Sequence, residues 1–106
     1  MDENIYKEIR ELDKVIHERT RLSILTLLYH HKEVNFTYLK EALQTTDGNL
    51  ATHLKTLENA GYIETIKRFN RKKPETIYKM SENGSAAYKN YLSSLEMLFM
   101  FKKNRI

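Results

Sequence analysis

Apolar residues recur every three or four positions through the first 60 residues, the spacing of helices that bury one face. This spacing predicts a first helix over roughly residues 4–16 and a second helix that begins near Thr20. A third helix runs to about Leu43, and a fourth ends at Ala60, where Gly61 supplies the left-handed residue that stops a helix. The second helix is apolar over a wide arc, so we expect it at the centre of the domain.

The pattern changes after Gly61. Residues 62–69 alternate imperfectly and are rich in β-branched and aromatic side chains, which indicates a strand. A polar, basic turn over 70–74 and a second strand over 75–80 complete a hairpin, and Ser81 caps a last helix. We therefore expect one domain over residues 1–106, mainly α with a β-hairpin, in the order α-α-α-α-β-β-α.

The third and fourth helices have the dimensions of a helix-turn-helix, over about residues 36–60. If Leu50, Leu54 and Leu57 form the buried edge of the fourth helix, its other side is polar and free of acidic residues until Glu58. Such a face suits a major groove flanked by phosphates. The candidate DNA-contacting residues of this helix are Asn49, Thr52, His53, Lys55 and Thr56. For His53, a half-buried position bonded to a neighbouring group is an equally open alternative.

Positive charge is concentrated at the predicted hairpin tip. The chain carries a formal net charge of +4, and five of the seven residues 67–73 are basic. A cationic tip can follow the phosphate backbone or enter the narrow minor groove. These candidate DNA contacts are Lys67, Arg68, Arg71, Lys72 and Lys73. The alternative is a solubilising tip that keeps a strand edge from pairing.

Further polar residues lie near predicted helix starts. Thr37 and Tyr38 begin the third helix and Thr46 precedes the fourth, so all three are candidate contacts to the DNA backbone. Arg21 is expected to anchor a helix end or an internal ion pair instead.

The last helix is apolar nearly all round at residues 98–101, and so small a domain has limited interior in which to bury it. We expect it to pack against a twofold partner, together with the apolar stripe of the first helix. The predicted dimerisation helices span about residues 4–16 and 82–103. The alternative is that the aromatic residues belong to the chain's own core. The candidate interface residues are Ile5, Ile9, Leu12, Tyr88, Tyr91, Leu92, Leu95, Leu98 and Phe99.

Several classes of site are not indicated. There is no cysteine, which excludes disulfides and thiolate metal sites, and His30 and His31 point about 100° apart on a helix. We find no nucleophile–base spacing, glycine-rich phosphate loop, apolar leader or membrane-length apolar run. We therefore expect a cytoplasmic protein with no cofactor, no bound metal, no membrane contact and no enzyme activity.

The run His-Leu-x-x-Leu-x-x-Ala-Gly at residues 53–61, followed by a basic hairpin, resembles the recognition-helix-to-wing signature of winged helix regulators related to MarR and ArsR. The resemblance covers about residues 10–95. It is carried by Gly48–Ile63, Leu12–His17, Arg21–Leu25, Pro74–Tyr78 and Ser81–Tyr88.

This resemblance implies a winged helix-turn-helix that dimerises through its terminal helices and binds a pseudo-palindromic operator. The recognition helix would enter the major groove, and a wing over about residues 62–80 would touch the minor groove. The chain lacks the metal-ligand sets of metal-sensing ArsR proteins, and its helical arms are shorter than those of full MarR proteins. The resemblance therefore implies that this chain binds DNA and dimerises, but it does not imply any effector.

The expected function is sequence-specific binding of double-stranded DNA as a homodimeric transcriptional regulator. The alternative is a winged helix that serves as a protein–protein interaction module in a transcription assembly. The basic tip and the acid-free helix face favour the first of these.

Overall fold

The computed structural model describes residues 3–104, with side chains as far as Phe101. Residues 1–2 and 105–106 of the predicted domain lie outside this part of the chain. The described part has the mainly helical architecture with a β-hairpin that the sequence predicts, and it adds a short first strand. Its elements are α1 (Glu3–Arg10), α2 (Arg19–His30), β1 (Val34–Asn35), α3 (Phe36–Leu43), α4 (Asp47–Asn59), β2 (Ile63–Asn70), β3 (Lys73–Met80) and α5 (Glu82–Asn104).

The first helix is shorter than predicted, because it ends at Arg10 instead of near residue 16. The Asp13 carboxylate accepts the backbone N–H groups of Val15 and Ile16 at 2.8 and 3.0 Å, a local turn that competes with helix. Leu12 and Ile16 are buried in the core on either side of this turn. Their helix-like spacing therefore reflects the packing of a turn segment, and the prediction of one continuous helix is wrong.

The core lies between α2 and α4, as the width of the apolar arc on α2 predicts. Ile24 and Leu25 are fully buried there, and they meet the buried Leu50 and Leu57 of α4. Burying each such side chain contributes about 1.5–3 kcal/mol. Since this edge of α4 is fixed against α2, the opposite edge must face solvent.

The turn between α3 and α4 is short. Gln44 ends α3 in the left-handed region with φ 50°, and the Thr46 hydroxyl accepts the Asn49 N–H at 3.2 Å as the N-cap of α4. This arrangement places α4 at the surface of the domain, next to the sheet.

The sheet has the order β1-β3-β2, all antiparallel. The register from Ile63↔Met80 to Asn70↔Lys73 leaves only Arg71 and Lys72 in the turn, so the turn is shorter than the predicted 70–74. Pro74 stands in β3, beyond the two residues that pair with β1. The sheet is open on that side of Pro74, where a strand tolerates proline.

The last helix begins where the sequence predicts, with the Ser81 hydroxyl accepting the Gly84 N–H at 2.9 Å. It packs on α2 through Tyr88 and also contacts α1. Within residues 3–104, no helix is long and apolar enough to cross a membrane. Nor does this part of the chain hold a group of three or more carboxylate or histidine side chains suited to a metal ion.

Candidate nucleic-acid interface

The outward side of α4 carries small polar and cationic side chains. Asn49, Thr52 and Lys55 are exposed, and Thr56 is partly exposed. The hydroxyl groups bond within the helix, with Thr52 donating to the carbonyl of Gly48 at 2.9 Å and Thr56 to that of Thr52 at 3.1 Å. These local bonds order the side chains without covering them, so this side of the helix is accessible to a ligand.

His53 lies on the flank of α4 that faces α2 and not on its outward side. Its Nδ1 is 3.1 Å from Nη1 of Arg21 and 3.5 Å from a carboxylate oxygen of Glu18, and its side chain is 16% exposed. Arg21 also donates from Nε to the carbonyl of Val15 at 2.6 Å, so it anchors a helix end as predicted. The alternative interpretation of His53, a half-buried residue bonded to neighbours, is the one that fits this geometry.

Glu18 completes this cluster at the start of α2, where its carboxylate accepts the Arg21 N–H at 2.8 Å. Partial burial acts to raise the pKa of Glu18. The backbone N–H groups of Arg21 and Thr20, together with electrostatic interactions with His53 and Arg21, outweigh burial and lower the pKa. The cluster therefore links α4 to the start of α2 through Nδ1 of His53.

A groove of about 310 Å³ lies between one flank of α4 and the hairpin. Lys55 of α4 and Lys67 of β2 both line it, so the two elements present cations to the same space. Glu58 holds the elements together. Hydrogen bonds from Thr65 and then Lys55, with the nearby charge of Lys67, lower its pKa. The i, i+3 spacing of Lys55 and Glu58 is visible in the sequence, but nothing in the sequence places Thr65 beside them.

Arg68 points to the other side of the hairpin from Lys67, because side chains alternate along a strand. Its guanidinium pairs with Glu33 at 3.2 Å and with Glu75 at 3.8 Å, and Asn35 donates to Glu75 at 3.1 Å. Arg68 thus ties the hairpin to the segment between α2 and β1. Its charge is matched by carboxylates of this chain, which the prediction of a DNA contact did not anticipate.

The hairpin tip is cationic and conformationally unusual. Arg71 and Lys72 have φ angles of 53° and 68°, as the two-residue I′ type of turn requires at both central positions. These positions favour asparagine and glycine, since other residues pay about 1–2 kcal/mol for left-handed backbone. Lys67 and Lys73 are exposed on the strands that lead to this turn. The two central positions of the turn are therefore occupied by cationic residues, although their backbone conformation favours asparagine and glycine.

The three candidate backbone contacts are all exposed. Thr46 stands at the start of α4. Thr37 lines a second groove, of about 450 Å³, between the start of α3 and the side of the hairpin that carries Lys73. The Tyr38 hydroxyl is 3.4 Å from Nε2 of His31.

Three of the predicted interface residues of the terminal helices belong to the chain's own core. Leu12, Tyr88 and Tyr91 are 9%, 5% and 4% exposed, which leaves little surface for a partner. The Tyr91 hydroxyl is 2.6 Å from Nδ1 of His17, and the Tyr88 hydroxyl donates to Thr26 at 3.0 Å. The alternative of an intrachain core therefore holds for these residues, because the first half of α5 packs on α2 and on the turn after α1.

The remaining residues predicted at the interface are accessible. Ile9, Leu92, Leu95 and Phe99 are 48%, 42%, 37% and 57% exposed, and Ile5 and Leu98 are partly exposed. On the same two helices, the structure also exposes Tyr6 and Met97, which the sequence analysis did not name, and Met100 of the apolar run 98–101.

A family model described as a winged helix DNA-binding domain matches residues 20–99. The chain belongs to this family. Within the winged helix, α3 and α4 are the helix-turn-helix, α4 is the recognition helix, and the β2–β3 hairpin is the wing. The family is one of DNA-binding domains and not of enzymes, in agreement with the sequence analysis.

Two relatives illustrate the match in sequence. An uncharacterized protein of Methanocaldococcus jannaschii is 42% identical over 85 residues, which cover 80% of this chain and 92% of that protein. The uncharacterized HTH-type transcriptional regulator YdgJ of Bacillus subtilis is 31% identical over 70 residues, or 62% of this chain, and the match spans 40% of its length.

Solved structures share the architecture. A transcriptional regulator homologue from Pyrococcus horikoshii superposes with a TM-score of 0.81 at 26% identity, covering 94% of this chain and 99% of its own. A crystal structure of MarR gives a TM-score of 0.72 at 19% identity, covering 92% of this chain and 71% of its own. The predicted resemblance to MarR-like winged helix proteins is thus confirmed for the fold.

Proposed function

We propose that this winged helix protein binds double-stranded DNA in a sequence-specific manner, as a homodimeric transcriptional regulator. The observation that carries the proposal is the shared groove between the recognition helix and the wing. It brings Lys55 of α4 and Lys67 of the hairpin to one space, next to the exposed polar side of α4, as a duplex bound by both elements requires.

The proposal assigns different tasks to the polar residues of this surface. Asn49, Thr52 and Thr56 are short enough to meet base edges when α4 lies in the major groove. The exposed cations of α4 and the wing neutralise phosphates, which supplies most of the sequence-independent affinity. Those cations are Lys55, Lys67, Arg71, Lys72 and Lys73, and Thr37, Tyr38 and Thr46 are further candidates for the backbone. His53 and Arg68 position the recognition helix and the wing through contacts within the chain.

The wing turn gives independent support. A turn that needed only to reverse the chain would be more stable with asparagine and glycine than with Arg71 and Lys72. Backbone strain of this kind is concentrated at sites where the side chain has a task. Two adjacent cations at the tip suit the negative potential of a minor groove.

Homodimerisation is proposed from the surface of the terminal helices. Leu92, Leu95 and Phe99 recur at helical spacing on α5 and leave apolar area in contact with water. Patches of this kind mark association sites, and a twofold contact covers both copies at once. A twofold dimer presents two recognition helices, so its operator would be a pseudo-palindrome.

The test is selection of bound fragments from a random duplex library by the purified protein, followed by fluorescence titration of the selected duplex. We expect enrichment of a two-fold symmetric sequence and a log–log salt slope between about −4 and −9 for the dimer, at about −0.9 per phosphate contact. Replacing Thr52 with alanine should change the preferred sequence, whereas replacing Lys55 should weaken all sequences alike.

The second candidate, a protein–protein module in a transcription assembly, predicts the opposite outcome. The library would show no enrichment, the salt response would be flat, and a stable protein partner would be recovered instead. That combination would overturn the proposed DNA-binding function.

A further inference from the structure

Phe69 stands out on the wing because it is a large apolar side chain with little protein around it. It is 77% exposed, more than any other large apolar residue whose side chain the structure describes. It lies next to Asn70, the last residue of β2, two positions before the Arg71–Lys72 turn. Leaving a phenylalanine in water forgoes the free energy of burial, so its position calls for a ligand that covers it.

The side of the wing on which Phe69 lies follows from the strand register. Side chains alternate along a strand, so Thr65, Lys67 and Phe69 share one side of β2. Thr65 and Lys67 line the groove against the recognition helix, and Phe69 therefore continues that same side outward by about 7 Å beyond Lys67. Arg68, whose carboxylate partners lie on the opposite side, does not share this surface.

Pro74 is the direct cross-strand partner of Phe69 and is also exposed. Opposed residues on one side of an antiparallel pair lie close enough for their side chains to pack. The two residues thus form one apolar tip, rigid on the proline side, with Lys67 on one side and the cationic turn on the other. This combination of apolar tip and surrounding cations matches a minor groove, where deoxyribose and base edges lie between two rows of phosphates.

We propose that Phe69 and Pro74 form an apolar wedge that enters the minor groove of bound DNA and partly unstacks the base step it meets. The inference rests on the proposed DNA binding and adds a contact that the cationic residues of the wing do not supply. Lys67, Arg71 and Lys72 hold the wing on the phosphates. Insertion of the wedge costs less free energy at a base step that unstacks easily. We therefore expect flexible pyrimidine–purine steps to be preferred at that position.

The experiment uses the full chain and the duplex selected from the random library by the wild-type protein. Phe69→Ala should weaken binding about tenfold while leaving the salt slope unchanged, because no charge is removed. Phe69→Leu, which keeps an apolar side chain, should recover part of the affinity. Lys72→Ala is the matched control on the same tip, and it should lower the magnitude of the slope by about 0.9 per contact.

Two further readouts separate a wedge from a merely structural role. A 2-aminopurine placed at the step under the wing should brighten with the wild-type protein and stay dark with Phe69→Ala. Thermal unfolding of the two proteins should coincide within a few degrees, since the ring is mostly exposed.

The possible failures are distinct. Wild-type affinity and slope in Phe69→Ala, or a loss of affinity with a reduced slope, would overturn the wedge and leave the DNA-binding proposal standing. If the wild-type chain selects no duplex at any salt concentration, the proposed function itself fails.

Discussion

At the scale of single residues, two side chains that the sequence places on neighbouring positions of one helix face differ in their exposure, because only one of them contacts another element. The sequence predicts Asn49 and His53 on the flanks of the outward side of α4, both as candidate DNA contacts. Asn49 is exposed there, whereas His53 is held by Arg21 and Glu18. The two positions differ by only about 40° around the helix, so their different environments come from the neighbouring element that His53 meets.

Glycines provide a test at the same scale. Gly84 lies so close to the backbone of Tyr62 that an added Cβ would collide with its carbonyl oxygen, whereas Gly48 on α4 has open space around it. Gly84→Ala should lower the free energy of unfolding by roughly 2 kcal/mol. Gly48→Ala should raise it by up to about 1 kcal/mol, because alanine is the better helix former. Urea unfolding followed by circular dichroism measures both, and equal stability of the two variants would contradict this account of the α5–Tyr62 contact.

At the scale of elements, helix and strand types follow the sequence pattern, but two boundaries do not. Apolar spacing extends the predicted first helix past Arg10, where Asp13 in fact turns the chain. The polar run 70–74 reads as a five-residue turn, whereas strand pairing continues until only Arg71 and Lys72 remain. The first difference arises from a local side-chain-to-backbone turn at Asp13, and the second arises because strand pairing forms only after the two strands meet.

The wing turn allows stability and binding to be separated. Lys72→Gly should raise the free energy of unfolding by about 0.5–1 kcal/mol, since glycine adopts the observed φ of 68° without steric cost. The same change should weaken DNA binding, because it removes a tip cation. Lys72→Ala removes the same charge but keeps the strain, so it should weaken binding without any gain in stability. Loss of stability in Lys72→Gly would show that the turn conformation is not strained.

At the scale of the whole molecule, the domain is elongated, with extents of 61 × 26 × 21 Å. The hydrophobic core that supports the recognition helix and the wing is formed entirely by residues of one chain. The far half of α5 still exposes Leu92 and Leu95. The proposed DNA-binding surface is therefore complete in one copy, and the symmetry of the proposed binding depends on whether a second copy covers the terminal helices.

The proposed dimer leads to a prediction at this scale. Leu95→Glu places a charge in the exposed apolar stripe of α5 and should shift the protein from about twice the 12.6 kDa chain mass to the monomer in sedimentation equilibrium. DNA affinity should fall with it, since two half-sites are no longer bound together. Ser93→Glu adds the same charge on another, exposed side of α5 and should leave the dimer intact. A wild-type protein that sediments as a monomer at micromolar concentration would contradict the proposal.

Much of this protein could be predicted from its sequence because the signals are local. Helical and strand periodicity, the Ser81 cap and the cationic run before Pro74 all act within a few residues of the chain, where local backbone geometry imposes the pattern.

What only the tertiary structure decided is which polar and aromatic groups remain available to a ligand. Arg68 meets Glu33 across 35 positions of sequence, Tyr91 meets His17 across 74, and Thr65 reaches Glu58 only after β2 packs on α4. Such partners come together through packing of the core, and packing depends on the whole set of buried contacts and not on any one segment.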